Sequence, residues 1–67
     1  MIDGTQRIEI ERVEVLDAGG LLMRCRVGDK VVFVPPLRIL PGTQIRQTGD
    51  RGRLVLPLDV AADLGLA

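Results

Sequence analysis

The first part of the chain alternates between apolar and polar residues, which is the pattern of a strand with one buried face. Residues 8–16 follow this alternation, but the apolar side chains change from even to odd positions after Ile10. Because either a bulge or a bend would return them to the same face, the phase change predicts a β-bulge or a bend at Glu11 and Arg12. We therefore predict one long strand that bends near its centre.

Two further strands are predicted, each preceded by a glycine turn. Residues 17–20 form the first turn, and Gly28 with Asp29 forms the second. In residues 21–27 the alternation directs Arg24 and Arg26 outward and four apolar side chains inward: Leu21, Met23, Cys25 and Val27. Residues 31–34 are β-branched or aromatic, which predicts a central strand with Phe33 in the core.

Prolines and glycines divide the second half of the chain into short pieces. Pro35 and Pro36 end the third strand, residues 37–40 form a short edge strand or an extended loop, and Pro41 with Gly42 forms a turn. Residues 43–48 are mostly polar and predict an exposed strand, whose open edge is a candidate site for a partner strand.

The last part of the chain predicts a strand followed by a short helix. Residues 49–52 turn into a strand at 53–56, which ends at Pro57; Asp59 is the predicted helix N-cap and Gly65 the predicted C′ residue. Five short strands at this turn spacing predict an all-β fold, a single domain over residues 1–67. A small five-stranded barrel with one C-terminal helical turn is favoured, since closure removes unpaired edges.

The size of the chain favours association. A chain of 67 residues buries only about 60% of the surface that its unfolded form exposes. Cys25 is the single cysteine and the chain has no histidine, so we predict neither a disulfide nor a metal site, no cofactor, and a core position for Cys25. With 46% hydrophobic residues, the chain is expected to form a homo-oligomer or to bind a protein partner.

Candidate interface residues are leucines that fall outside the inward alternation: Leu22, Leu37 and Leu40. No apolar segment approaches the roughly 20 residues that span a bilayer, and the first residues lack a secretory signal pattern. We therefore expect a cytoplasmic protein without a membrane partner.

Charge divides the chain, although the net charge is zero. Residues 1–20 hold five acidic against two basic side chains, and residues 21–56 hold seven basic against two acidic ones. One interpretation is that acidic and basic strands pair across the sheet. The other is a basic face for DNA or RNA, whose candidate contacts are Arg24, Arg26, Arg38, Arg46, Arg51 and Arg53.

The residue inventory argues against an enzyme. The chain contains no His for general-base catalysis and no Ser nucleophile, and Cys25 has no His to activate it. No glycine-rich phosphate loop is present, because residues 49–52 lack the following lysine. We predict no catalytic residue and a binding or assembly function.

Residues 21–64 resemble a Src-homology-three domain or a related small barrel. The likeness rests on an apolar strand, the Gly28–Asp29 turn and a hydrophobic strand, followed by the Gly-Arg-Leu-Val-Leu-Pro run that begins at Gly52 and a short helical turn. The resemblance implies the barrel. It does not imply recognition of proline-rich peptides, because the chain has neither Tyr nor Trp to build that groove.

Residues 51–66 are also similar to swapped-hairpin transcription factors of the transition-state-regulator and antitoxin type. In that family a Gly-Arg-apolar-Pro strand leads into a short helix that ends in Leu-Gly, as residues 52–57 and 60–65 do here. Two chains of that family interlock to bind DNA. The resemblance implies DNA contacts at Arg51 and Arg53.

Overall fold

The computed structural model describes residues 6–67 and places four strands in one antiparallel sheet. The elements are β1 (Arg7–Asp17), β2 (Met23–Val27), β3 (Lys30–Val34), a 3₁₀ helix (Pro36–Arg38), β4 (Arg51–Pro57) and α1 (Leu58–Asp63). The order across the sheet is β3-β2-β1-β4. The mostly β composition and the short C-terminal helix are confirmed. Within residues 6–67 the sheet stays open, with β3 and β4 as its two edges.

The predicted bulge in β1 is present. The register against β4 shifts between Ile10 and Val13, and Arg12 adopts a positive φ of 59°. As a result, Ile10 packs against the core from one half of the strand, and Val13 is completely buried in the other half. The bulge thus keeps the apolar side chains of an 11-residue strand on one face.

The turn before β2 is longer than predicted. β2 begins at Met23, and Leu21 is 95% exposed where an inward position was expected. Two hydrogen bonds fix the first residues of this turn. The Asp17 side chain accepts one from the Gly19 N–H, and the Ala18 N–H donates the other to the Thr48 hydroxyl. The alternation becomes regular only from Met23 onward, where Cys25 is fully buried as predicted.

The prediction that Phe33 lies in the core is wrong. In β3 the buried side chains are Val32 and Val34, while Val31 is 49% exposed and Phe33 54% exposed. The β-branched and aromatic run predicts a central strand. β3 is an edge strand covered on one face, so its alternate side chains point to solvent.

Residues 43–48 form no strand. Residues 40–45, named here the covering segment, instead run along the edge of β4 and bond to it through Leu40, Thr43 and Gln44. The Leu40 and Gln44 N–H groups donate to the carbonyls of Val55 and Arg53 at 2.9 and 2.8 Å. In return, the Thr43 hydroxyl and the Gln44 side-chain oxygen each accept a hydrogen bond from a β4 N–H, both at 3.0 Å. Side chains therefore supply half of the pairing that a fifth strand would provide.

The core lies between the inner face of the sheet, residues 39–46 and α1. Its buried members are mostly aliphatic: Val13, Val15, Met23, Cys25, Val32, Val34, Ile45, Leu54, Leu56, Val60 and Ala61. Ile45, at the end of the covering segment, is fully buried. Its side chain anchors that segment while the neighbouring polar residues bond to β4.

The helix α1 ends as predicted but begins differently. The N-cap position is Pro57, and Asp59 lies in the first turn without a capping hydrogen bond. Pro57 already breaks the strand, so the helix starts directly after it. At the other end Gly65 has a φ of 77°, its N–H donates to Ala62, and the Leu66 N–H donates to Ala61. These two bonds form a Schellman cap.

Substitution of Gly52 tests the contact between β4 and Gln44 of the covering segment. A β-carbon at Gly52 would lie 2.9 Å from the Gln44 side-chain oxygen, whereas one at Gly49 would meet nothing within 4 Å. Both glycines have positive φ, 155° and 93°. We expect Gly52→Ala to lower the free energy of unfolding by about 1–3 kcal/mol and Gly49→Ala by about 1 kcal/mol, measured by chemical denaturation. Equal losses would contradict the contact with Gln44.

Candidate functional site

The two edges of the sheet differ in how their backbone groups are satisfied. The β4 edge is covered by residues 40–44, as described above. On β3 the two-residue turn sets the pattern, because the pair that closes such a hairpin exchanges hydrogen bonds and the pairs then alternate. Lys30, Val32 and Val34 therefore bond to β2, and the N–H and C=O groups of Val31 and Phe33 point away from the sheet.

The side chains beside this free edge are apolar. Val31 and Phe33 lie on the outer face of β3, each about half exposed. Lys30 is the only charged residue of the strand, and its ammonium is directed to the Gly65 carbonyl at 3.1 Å. A charge at the centre of an edge strand would discourage pairing, but the centre of β3 carries none. We name the β3 edge site as residues 31–33, with the outward N–H and C=O groups of Val31 and Phe33.

The three leucines predicted as an interface differ in their exposure. Leu37 is 98% exposed and Leu22 is 48% exposed. Both lie within three residues of the Met23–Val34 pair, at the end of the hairpin opposite its turn. Leu40 is half-buried and lines a groove of about 340 Å³ to which Met23 and Pro36 also contribute. Leu22 and Leu37 are therefore exposed near one end of β3, and Leu40 is partly enclosed in the groove.

Three of the six candidate arginines are paired with carboxylates on the outer face of the sheet. Glu14 on β1 accepts a hydrogen bond from Arg26 of β2 and lies 3.5 Å from Arg51 of β4. On the other side of the bulge, the Arg53 Nε donates to Glu11 at 2.7 Å. These contacts link three neighbouring strands and match the interpretation that acidic and basic strands pair.

Protonation equilibria reflect these pairs. The hydrogen bond from Arg26 is the main cause that lowers the pKa of Glu14, with Arg51 adding to it. The hydrogen bond to Glu11 raises the pKa of Arg53. An open groove of about 570 Å³ lies between the pairs and has both signs on its walls: Glu11, Arg12, Glu14, Arg26 and Arg51. An anion entering it would meet carboxylates as well as guanidinium groups.

The remaining candidate arginines lie apart from this face. Arg38 lies 3.3 Å from Asp59 at the start of α1. Among residues 6–67, Arg24 and Arg46 have no carboxylate within 4 Å. Arg24 lies opposite Phe33 in the β2–β3 register, and Arg46 lines the apolar groove. The six predicted contacts are thus distributed over several parts of the molecule.

Cys25 is a core residue in the structure. It is 0% exposed, and burial raises the pKa of its thiol to about 11, which disfavours the reactive thiolate. Residues 6–67 contain no group of three Cys, Asp or Glu side chains placed to hold a metal. No helix in this part of the chain is long and apolar enough to cross a bilayer.

Val31 and Phe33 are surface residues that the sequence pattern did not predict. One signal was available: the run ends at two prolines, which cannot donate to a sheet and are typical of sheet edges. An edge strand with a regular alternation would place Val31 and Phe33 on the solvent face. The hydrophobicity of the whole run concealed this pattern.

Comparison of the chain with protein-family models, with curated proteins and with solved structures gives no significant match.

The Glu14 pairs predict a dependence of stability on pH. Because the folded state holds the pKa of Glu14 below its ordinary 4.5, the charged carboxylate stabilises the fold above that value. This contribution is lost as the pH falls through the lowered pKa. We expect Glu14→Gln to reduce the loss of stability between about pH 5 and pH 3, measured by urea denaturation at each pH.

Glu9→Gln is the matched control, because Glu9 lies 3.8 Å from Arg53 and makes no closer ion pair. Asp50 contributes to the pH dependence of stability in both variants, because hydrogen bonds from the Arg46 and Gln47 N–H groups lower its pKa. If Glu14→Gln and the wild-type chain lose stability in parallel on acidification, the proposed role of the Glu14 pairs is wrong.

Proposed function

We propose that this chain is a non-catalytic assembly module that self-associates by adding a strand at the β3 edge site. The observation that carries the proposal is the difference between the two edges of the sheet. On β4 the N–H and C=O groups of Arg53 and Val55 all bond to residues 40–44. On β3 the two N–H and two C=O groups of Val31 and Phe33 have no partner among residues 6–67. Strand addition to such an edge is a common mode of protein recognition, with main-chain hydrogen bonds that give affinity.

The side chains support the same conclusion. Val31 and Phe33 present a β-branched and an aromatic side chain on one face, the types that form favourable cross-strand pairs. Leu22 and Leu37 extend the apolar surface at one end of the strand. Burial of apolar area contributes roughly 25 cal/mol per Å², which a small domain that is marginal alone gains on association.

The observed sheet is open, so the likeness to a Src-homology-three barrel stays a proposal. The open four-stranded sheet with its C-terminal helix is compatible with a small β fold of that kind. A strand added at β3 would enlarge the sheet from outside the chain, as a fifth strand would from within.

DNA or RNA binding by the arginines has weaker support. Arg26, Arg51 and Arg53 lie on carboxylates of the same face, and Phe33 is the only aromatic residue available for base stacking. The likeness of residues 51–66 to swapped-hairpin regulators keeps Arg51 and Arg53 as the residues to test. Nothing in their surroundings favours a phosphate over the glutamates that they already contact.

Self-association predicts a mass that depends on concentration. We expect light scattering to show dimer at high concentration, and Phe33→Lys to weaken association at least about tenfold, because a lysine at the centre of an edge opposes pairing. Phe33 is half exposed, so the change leaves the core intact. Circular dichroism confirms folding of each variant.

Leu37→Lys is the matched control, an apolar-to-lysine change at a more exposed residue outside β3. We expect a much smaller effect than for Phe33→Lys. If Leu37→Lys abolishes association while Phe33→Lys leaves it intact, the leucines form the interface and the β3 edge site is wrong. A monomer at every concentration rejects the proposed function.

The nucleic-acid alternative predicts binding that falls steeply with salt. A protein that neutralises several phosphates loses affinity with a slope near 0.9 per contact on logarithmic scales. We expect no such affinity for random duplex or single-stranded DNA at low and physiological salt, measured by fluorescence anisotropy. Salt-dependent binding that disappears in Arg51→Gln and Arg53→Gln would reverse this conclusion.

A further inference from the structure

Two copies can join through β3 in two ways, with β3 of one copy next to either β4 or β3 of the other. A head-to-tail contact would join β3 of one copy to β4 of the next, but within residues 6–67 the β4 edge is already covered by Thr43 and Gln44. Over the same described residues, β3 is the edge of each copy whose outward N–H and C=O groups have no partner. A contact that uses the same surface on both copies is isologous, with a twofold axis between them.

We infer that two copies pair β3 against β3, antiparallel, about a twofold axis that passes beside Val32. The inference rests on the proposed function and specifies its geometry. In this register Val31 lies opposite Phe33 of the second copy, and Phe33 lies opposite Val31 of the second copy. A twofold axis perpendicular to the sheet also places the two buried faces on the same side.

The backbone favours this register over its neighbours. Val31 and Phe33 carry the free groups of the edge, so each of their pairs exchanges two hydrogen bonds and the seam has four. A register centred on Phe33 would place Val31 opposite Pro35, which has no N–H to donate. A register centred on Val31 would place Phe33 opposite Asp29 in the turn.

The charges near the seam are compatible with the pairing. On the outer face, Arg24 is next to Phe33 and Arg26 is next to Val31 within one copy. Across the seam, Arg24 of one copy and Arg26 of the other are separated by three strand spacings, about 14 Å. This exceeds the Debye length of about 8 Å at physiological ionic strength, so their repulsion is largely screened.

A short seam implies a weak dimer. β3 has five residues, and a stable protein interface usually buries about 1,600 Å² in total. We therefore expect the dimer to form at high protein concentration and to dissociate on dilution. A covalent cross-link would capture such a weak dimer and show which residues lie opposite each other, so we choose cysteine cross-linking.

The test mixes two single variants of the full chain, Val31→Cys and Phe33→Cys, under mild oxidation. Directly opposed residues have β-carbons about 4.5–5.5 Å apart, whereas diagonal ones are about 7–8 Å apart. We expect several-fold more disulfide-linked dimer in the mixture than in either variant alone, as the mixed species by mass spectrometry. Wild type is the control, since Cys25 is fully buried.

The outcomes separate the geometry from the function. If Val31→Cys alone or Phe33→Cys alone cross-links best, the axis lies beside that residue and the inferred register is wrong, although self-association stands. If light scattering shows a dimer but none of the samples cross-links, β3 does not pair with β3. If the chain is monomeric throughout, both the geometry and the proposed function fail.

Discussion

The hydrogen bonds of Thr43 and Gln44 to β4 determine which edge of the sheet is free. Their side-chain oxygens accept from the Val55 and Arg53 N–H groups, in positions that a neighbouring strand would otherwise occupy. Ile45 holds the segment in place by entering the core. Because an open sheet of four strands has two edges, the covering of one leaves β3 as the surface through which the molecule can extend.

The charged side chains on the outer face pair with each other across the strands more than they offer a site for a ligand. Glu14 lies on the central strand between Arg26 and Arg51, and Arg53 lies between Glu9 and Glu11. The acidic first part of the chain and the basic middle part therefore meet in cross-strand pairs. This explains why the outer face of the sheet, over residues 6–67, carries both signs although charge is unevenly divided along the sequence.

Sequence alone predicted the features that depend on local pattern. The bulge at Arg12, the glycine at 65 that ends the helix, and the burial of Cys25 follow from parity, backbone conformation and residue type. Features that depend on long-range pairing were not predictable. Residues 43–48 have the composition of an exposed strand, and only the position of β4 shows that Thr43 and Gln44 bond to it with side chains. The exposure of Phe33 likewise follows from the place of β3 in the sheet order.

A free apolar edge is a hazard for a soluble chain, because successive copies can add to it without limit. Unlimited growth needs two free edges on each copy. Here the cover on β4 removes one of them within the described residues, and a β3 to β3 contact would consume the other. Association through this site would therefore stop at two copies. In the proposed pairing, the segment that replaces a fifth strand would have a second consequence, because its cover of β4 would limit association to a closed pair of chains.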